Sequence, residues 1–166
     1  RRSFGFERLQ GFDAAAWARI RDVAANRIVA DAKPLLFGSD LYGDALELAR
    51  ENLATAGLED AVSLKQANVL ELSAPAAEGV LVTNPPYGGR LGELDELAAF
   101  YPQLGNLLKK KFAGWRAYIF TGDLRLPKLI GLSPSKRTPL YNGPLECRLY
   151  EFKMVSGAMR REKREN

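Results

Sequence analysis

The sequence predicts an α/β domain built on a mostly parallel sheet and closed by an antiparallel hairpin. Three observations carry that prediction. Short apolar runs alternate with helically periodic stretches along most of the chain, the order in which crossover helices wind a parallel sheet. Asp40, Asn68 and Asn84 stand at or just after the ends of three successive runs, where such sheets gather ligands. The last two runs flank Asn142-Gly-Pro, a tight-turn sequence between strands.

Each element has its own signal. From residue 13 to about residue 30, Trp17, Ile20, Ala24 and Ile28 recur at spacings of three or four, predicting a helix capped by Asp13 with Arg19 and Arg27 toward water. Leu35-Leu-Phe-Gly-Ser-Asp40 reads as a buried strand ending on an acid. A helix over 44–56 turns Leu46, Ala49 and Leu53 inward and stops at Gly57. Strands follow at 62–66 and 79–83. Residues 94–112 are helical in two pieces, with Pro102 either starting the second piece or kinking a continuous helix. Leu104, Leu107, Leu108 and Phe112 supply its apolar stripe, and Gly114 ends it. A strand over 116–121, a short helix near 124–129 and a hairpin of 136–141 with 146–154 complete the order. Residues 1–155 thus form one domain, and the basic stretch 156–166 is expected to be a disordered tail.

Composition narrows the chemistry. The 166 residues are 46% hydrophobic and 27% charged, the balance of an ordinary globular chain. There is no histidine and one cysteine, Cys147, so Ser-His and Cys-His catalysis and an internal disulfide are excluded. A zinc site would need an all-carboxylate ligand set, and no metal is expected. No apolar run approaches the roughly 20 residues that span a bilayer, so no membrane partner is expected and the reducing cytoplasm is the natural setting. The net charge is +4, with basic clusters at Lys109-Lys-Lys111 and Arg160-Arg-Glu-Lys-Arg164. These are either a solvated helix end and a loose terminus, or contacts for nucleic-acid phosphates.

The three strand ends carry the functional signal. Asp40 is placed either to accept ribose hydroxyls or to receive backbone N–H groups at the start of the next helix. The pair Asn68-Val69 offers an amide to an adenine amine and an apolar cover for its ring, or simply closes a turn. Asn84-Pro-Pro-Tyr87 is sharper: it is either a proline turn that caps the strand or a holder for an amine. An amine on an aromatic base is a poor nucleophile, because its lone pair is delocalised into the ring. It attacks more readily when both hydrogens are held by acceptors that favour pyramidal geometry. The Asn84 side-chain oxygen and the Pro85 carbonyl are such acceptors; Pro85 and Pro86 fix φ and keep them aimed. Tyr87 stacks on the base. A methyl sulfonium donor then needs neither metal nor strong base, since alignment provides most of the acceleration.

The motif Asn84-Pro-Pro-Tyr87 resembles the amino-methyltransferase signature of class I S-adenosylmethionine-dependent enzymes. Three longer stretches narrow the likeness: Asn84-Pro-Pro-Tyr-Gly-Gly-Arg-Leu-Gly92, Phe112-Ala-Gly-Trp-Arg-Ala-Tyr-Ile-Phe-Thr-Gly122 and Leu140-Tyr-Asn-Gly-Pro-Leu-Glu-Cys-Arg-Leu149. Together they are similar to the catalytic domain of THUMP-bearing bacterial ribosomal RNA guanine-N2 methyltransferases, as is the opening Phe4-Gly-Phe-Glu-Arg-Leu-Gln-Gly-Phe-Asp13. The resemblance implies a Rossmann-like sheet and methylation of a guanine N2 amine in large-subunit (23S) ribosomal RNA. By it, Asp40 and its neighbour Leu41 bind the cofactor at its ribose, Asn68 and Val69 hold its adenine, and Asn84, Pro85, Pro86 and Tyr87 hold the guanine amine. The family usually has aspartate where this chain has Asn68. Cys147 is expected to be core packing.

The family's first strand and Gly-rich loop have no counterpart here, nor does a THUMP domain. The resemblance therefore implies the C-terminal part of a catalytic domain without its first βα unit. The strands ending at Asp40 and Asn84 should each keep an unpaired edge, and the chain alone should be weakly active or inactive. Two other readings compete: a methylator of DNA adenine or protein glutamine, and a non-enzymatic RNA-binding fragment. A corner at 84–87 that faces the interior, with no cavity beside Asp40 for a nucleoside, would overturn the methylation reading.

Overall fold

The computed structural model describes residues 3–28, 36–85 and 91–155, with 91–94 described by their backbone alone. Helix α1 (Ala14–Ala25) begins where Asp13 accepts the Ala16 N–H at 2.8 Å, as an N-cap should. It is shorter than its periodicity predicts, and Ile20 and Ile28 are exposed rather than inward. Trp17 packs instead against the edges of Phe4 and Phe6, at ring separations of 5.7 and 5.0 Å. A local aromatic cluster, not a helix face on a sheet, anchors this segment.

Strand β1 (Leu36–Asp40) lies parallel to β2 (Val62–Gln66), and helix α2 (Gly43–Ala56) crosses between them. Leu46 is the buried anchor of α2, and Gly57 closes it with φ of 68°, the left-handed conformation that glycine adopts without steric cost. A second sheet has the order β3-β4-β6-β5, from β3 (Gly79–Thr83), β4 (Trp115–Thr121), β5 (Lys136–Asn142) and β6 (Leu145–Lys153). The β3–β4 pair is parallel, whereas β6 runs antiparallel to both β4 and β5. Neither β1 nor β3 has a second partner strand among the described residues. The two unpaired edges expected from the resemblance are therefore present. They also explain why β1 is not the buried strand predicted, with Leu36 and Phe37 both more than half exposed.

Helix α3 (Leu91–Lys111) runs through Pro102 without interruption, so two separate pieces do not form. Pro102 lies on the exposed side, where water can satisfy the carbonyl that its missing N–H leaves unbonded. The other side buries Leu97, Tyr101, Leu104, Leu108 and Phe112 against β4, β6 and the short helix α4 (Leu126–Leu129). Cys147 is fully buried, as packing predicts. No described helix is long and apolar enough to cross a membrane. The tail 156–166 lies outside the described residues, so its expected disorder stays an expectation.

Candidate active site

Parallel pairing brings the first two strand ends together. Asp40 is in register with Gln66, and its carbonyl accepts the Ala67 N–H at 2.9 Å, which sets Asn68 beside it. Gln66 donates its side-chain amide to the Leu41 carbonyl at 3.0 Å, tying down the loop after β1. Asp40 is half-buried, and its Oδ1 accepts the Tyr42 N–H at 2.9 Å. Both readings of Asp40 are thus compatible: one oxygen orients the loop, while Oδ2 has no partner among the described residues.

Asn68 caps a 3-10 turn at Val69–Glu71, its Oδ1 accepting the Leu70 N–H at 2.9 Å. The turn-closing role is real. It leaves the second lone pair of that oxygen, and the Val69 N–H, first in the turn, has no acceptor within it. Val69 packs half-buried against the main core. Leu41 is half exposed beside these groups.

The third strand end faces outward. Along β3, Leu81 leans on the core while Val80 and Val82 are 59% and 70% exposed, so the next outward position falls on Asn84. Asn84 is exposed and Pro85 is buried, which seats the corner rigidly and presents the amide. Pro86 and Tyr87 lie outside the described residues. Two concavities among the described residues lie away from Asp40. The concavities of about 670 and 320 Å³ lie along α1, by Ile20 and Val23, and between α2 and β2, by Leu53 and Leu64. With β1 and β3 each open at one edge, the described residues form an exposed rim in place of a closed pocket.

Beside Asn84, the end of β4 carries a group that the sequence reading passed over. Thr121 is fully buried, and its Oγ1 accepts the Asp123 N–H at 3.0 Å. Asp123 Oδ1 accepts the Arg125 N–H and Nε–H, and Oδ2 accepts from Arg125 Nη2, all at 2.9 Å. The Arg125 hydrogen bonds hold the Asp123 carboxyl below its usual range, against the opposing effect of burial. Tyr101, packed inside this loop, is pushed up by burial and stays neutral. The signal was available: Thr-Gly-Asp at a strand end, with arginine two residues on, is a side-chain-closed turn. Among the described residues no group of carboxylates and Cys147 could hold a metal.

A nucleotide-type α/β sheet with an acid after one strand and an Asn-Pro corner after another defines the class I methyltransferase architecture. The chain belongs to the RMKL-like methyltransferase domain family, whose model matches residues 2–151. It is 37% identical over 165 residues to the ribosomal RNA large subunit methyltransferase K/L of Shewanella sp. (strain ANA-3), covering 98% of this chain and 23% of that protein. It is 36% identical to the putative RNA methyltransferase slr0064 of Synechocystis sp. (strain ATCC 27184 / PCC 6803 / Kazusa), covering 91% of this chain and 39% of that one. Among solved structures, SMU.472, a putative methyltransferase complexed with SAH, superposes with a TM-score of 0.80 at 32% identity, over 95% of this chain and 41% of that chain. The chain therefore spans about a quarter of the length of its Shewanella relative.

Proposed function

We propose that this chain is the part of a ribosomal RNA methyltransferase that holds the target base, acting on the exocyclic N2 amine of a guanine in large-subunit RNA. The observation that carries the reading is the Asn84–Pro85 corner, an exposed amide on a buried proline at the end of a parallel strand. The residues fit S-adenosylmethionine. Asp40 Oδ2 is open to a ribose diol, and Asn68 and the Val69 N–H offer an acceptor and a donor to an adenine edge. That cofactor, when bound, supplies a methyl group on a positively charged sulfur.

The chain's own residues do the rest. Asn84 Oδ1 and the Pro85 carbonyl each accept one hydrogen of the amine and turn its lone pair away from the ring. By the family resemblance, Pro86 and Tyr87 are the residues assigned to stiffen the corner and support the base plane. As the amine becomes cationic on transfer, the same two oxygens stabilise the developing positive charge. No side-chain base is needed until that charge is formed, and a water then accepts the proton. Ribosomal RNA as substrate, with a lone buried thiol, fits a cytoplasmic protein.

The open edges of β1 and β3 favour one other reading, an RNA-binding piece without turnover. The test offers the chain, in excess and with methyl-tritiated cofactor, 23S ribosomal RNA, duplex DNA and release-factor protein together. Slow labelling of the RNA alone is expected. Label confined to protein or DNA overturns the RNA reading, and RNA binding with neither label nor calorimetric heat from S-adenosylmethionine supports the non-enzymatic one.

A further inference from the structure

We propose that Arg125, braced by Asp123 and flanked by Arg148 and Arg137, binds the RNA phosphates next to the base that Asn84 receives. The proposal rests on the RNA reading above and identifies the surface by which this chain grips its substrate.

Position comes first. Strand β4 runs parallel to β3 with Ile119 opposite Thr83, so the loop leaving β4 through Thr121 emerges beside Asn84 and Pro85. Across the antiparallel pair, Arg148 lies opposite Thr121, and Arg137 lies opposite Tyr150. Thr121, Tyr150 and Ile119 all face the core side, so Arg148, level with Thr121, and Arg137, two residues further from the strand end, lie on the sheet face from which the Asp123–Arg125 loop departs. The Tyr150 hydroxyl, raised by burial, feels Arg137, Arg148 and Asp123 together.

Preorganisation comes second. The Asp123 side chain is 7% exposed and grips Arg125 through Nε and Nη2, while the Arg125 side chain remains 51% exposed. Its Nη1 edge has no acceptor among the described residues. A planar fork held this way is set for a phosphate, which it meets bidentately. Arg148 is similarly oriented, with Nη2 paired to Glu146 and Nη1 donating to the Cys147 carbonyl at 3.0 Å. Arg137 is exposed and has no ion pair among the described residues.

The fold also decides between basic clusters. Lys109, Lys110 and Lys111 form the last turn of α3, which leads into the start of β4, so they sit at the opposite end of the sheet from Asn84. There they offset the negative end of the helix dipole, a structural role.

Fluorescence anisotropy with a labelled RNA hairpin, across a series of potassium chloride concentrations, tests the proposal. Three phosphates at about 0.7 each predict a log–log salt slope near −2 for the unaltered chain. Arg125→Gln and, separately, Arg148→Gln should each reduce that slope by about 0.7 and weaken binding several-fold, while Lys110→Gln leaves the slope unchanged. Arg148→Gln keeps the test decisive if unpaired Asp123 unfolds the first variant. Unchanged slopes in both arginine variants, an equal loss in the lysine control, or tighter binding of duplex DNA each overturn the proposal. Calorimetric titration with S-adenosylhomocysteine separates the two claims. Heat on cofactor binding together with unchanged slopes leaves the methyltransferase reading standing and removes only the arginine rim.

Discussion

Asn84 is an amide at the surface, and surface amides are usually replaceable. What sets it apart is the pairing with Pro85, a buried residue that holds its carbonyl on the same rigid corner. If these two oxygens hold the amine, removing one should act on the chemical step and spare the cofactor. In the full-length enzyme, Asn84→Ala is therefore expected to reduce single-turnover methyl transfer by roughly a hundredfold, in the range seen when one preorganised transition-state contact is lost. The dissociation constant for S-adenosylhomocysteine should change less than about twofold, because each unit of RT ln 10 in affinity would need a contact that Asn84 does not make. Equal rates in mutant and parent chain would remove the amine clamp. The residue scale is also where sequence reading was most uneven. The place of Asn84 at an outward-facing strand end was legible, because an apolar run gives way there to an amide and two prolines. Asp123 and Arg125 carried a weaker signal, the Thr-Gly-Asp turn, because an acid and a base two apart are common on any surface. Only the buried Thr121 hydroxyl and the bidentate geometry make the pair distinctive.

The elements were legible where local pattern and tertiary environment agree. Strands β2 and β3 match their predicted bounds because alternating apolar residues there meet a sheet on one face. Pattern failed where the environment decided. Helix α3 continues through Pro102 since its packing on α4 and the sheet outweighs one lost backbone hydrogen bond. Helix α1 ends at Ala25, where Asn26 is the C-cap. The closeness of α3 to α4 has a measurable consequence. At Gly105, the Cβ of any other residue would stand 1.9 Å from the Ile130 carbonyl oxygen, a backbone atom that cannot swing aside. Gly105→Ala, a change that stabilises most helices by nearly 1 kcal/mol, should here destabilise by about 3 kcal/mol through overpacking. Urea denaturation reads this directly; a midpoint at or above that of the parent chain would mean α4 is free to move.

At the scale of the whole molecule, burial is distributed unequally. Among the described residues before Pro85, Leu46 alone is a buried side chain, whereas α3, β4, α4 and β6 share one continuous core. The β1–α2–β2 unit touches that core chiefly through the turn at 69–71, where Val69, Leu70 and Leu72 lean on it. A unit so lightly anchored should open without global unfolding, since few apolar contacts are lost in doing so. Native-state hydrogen exchange is thus expected to find β1 and β2 amides exchanging roughly a hundredfold faster than those of β4 and β6. Asp40 belongs to the lightly anchored side of this division, Asn68 and Val69 to the turn that ties it to the core, and Asn84 to the strand that enters the core. A nucleoside held by the first three stabilises only the folded β1–α2–β2 unit. At a hundred times its dissociation constant it contributes about 2.7 kcal/mol there. Saturating S-adenosylhomocysteine should accordingly slow exchange in β1 and β2 by up to about a hundredfold, and in β4 and β6 by much less. The rigid half would then present the base, and the cofactor would complete the other half on binding. Protection that rises in β6 and not in β1 would place the nucleoside elsewhere and undo the assignment of Asp40.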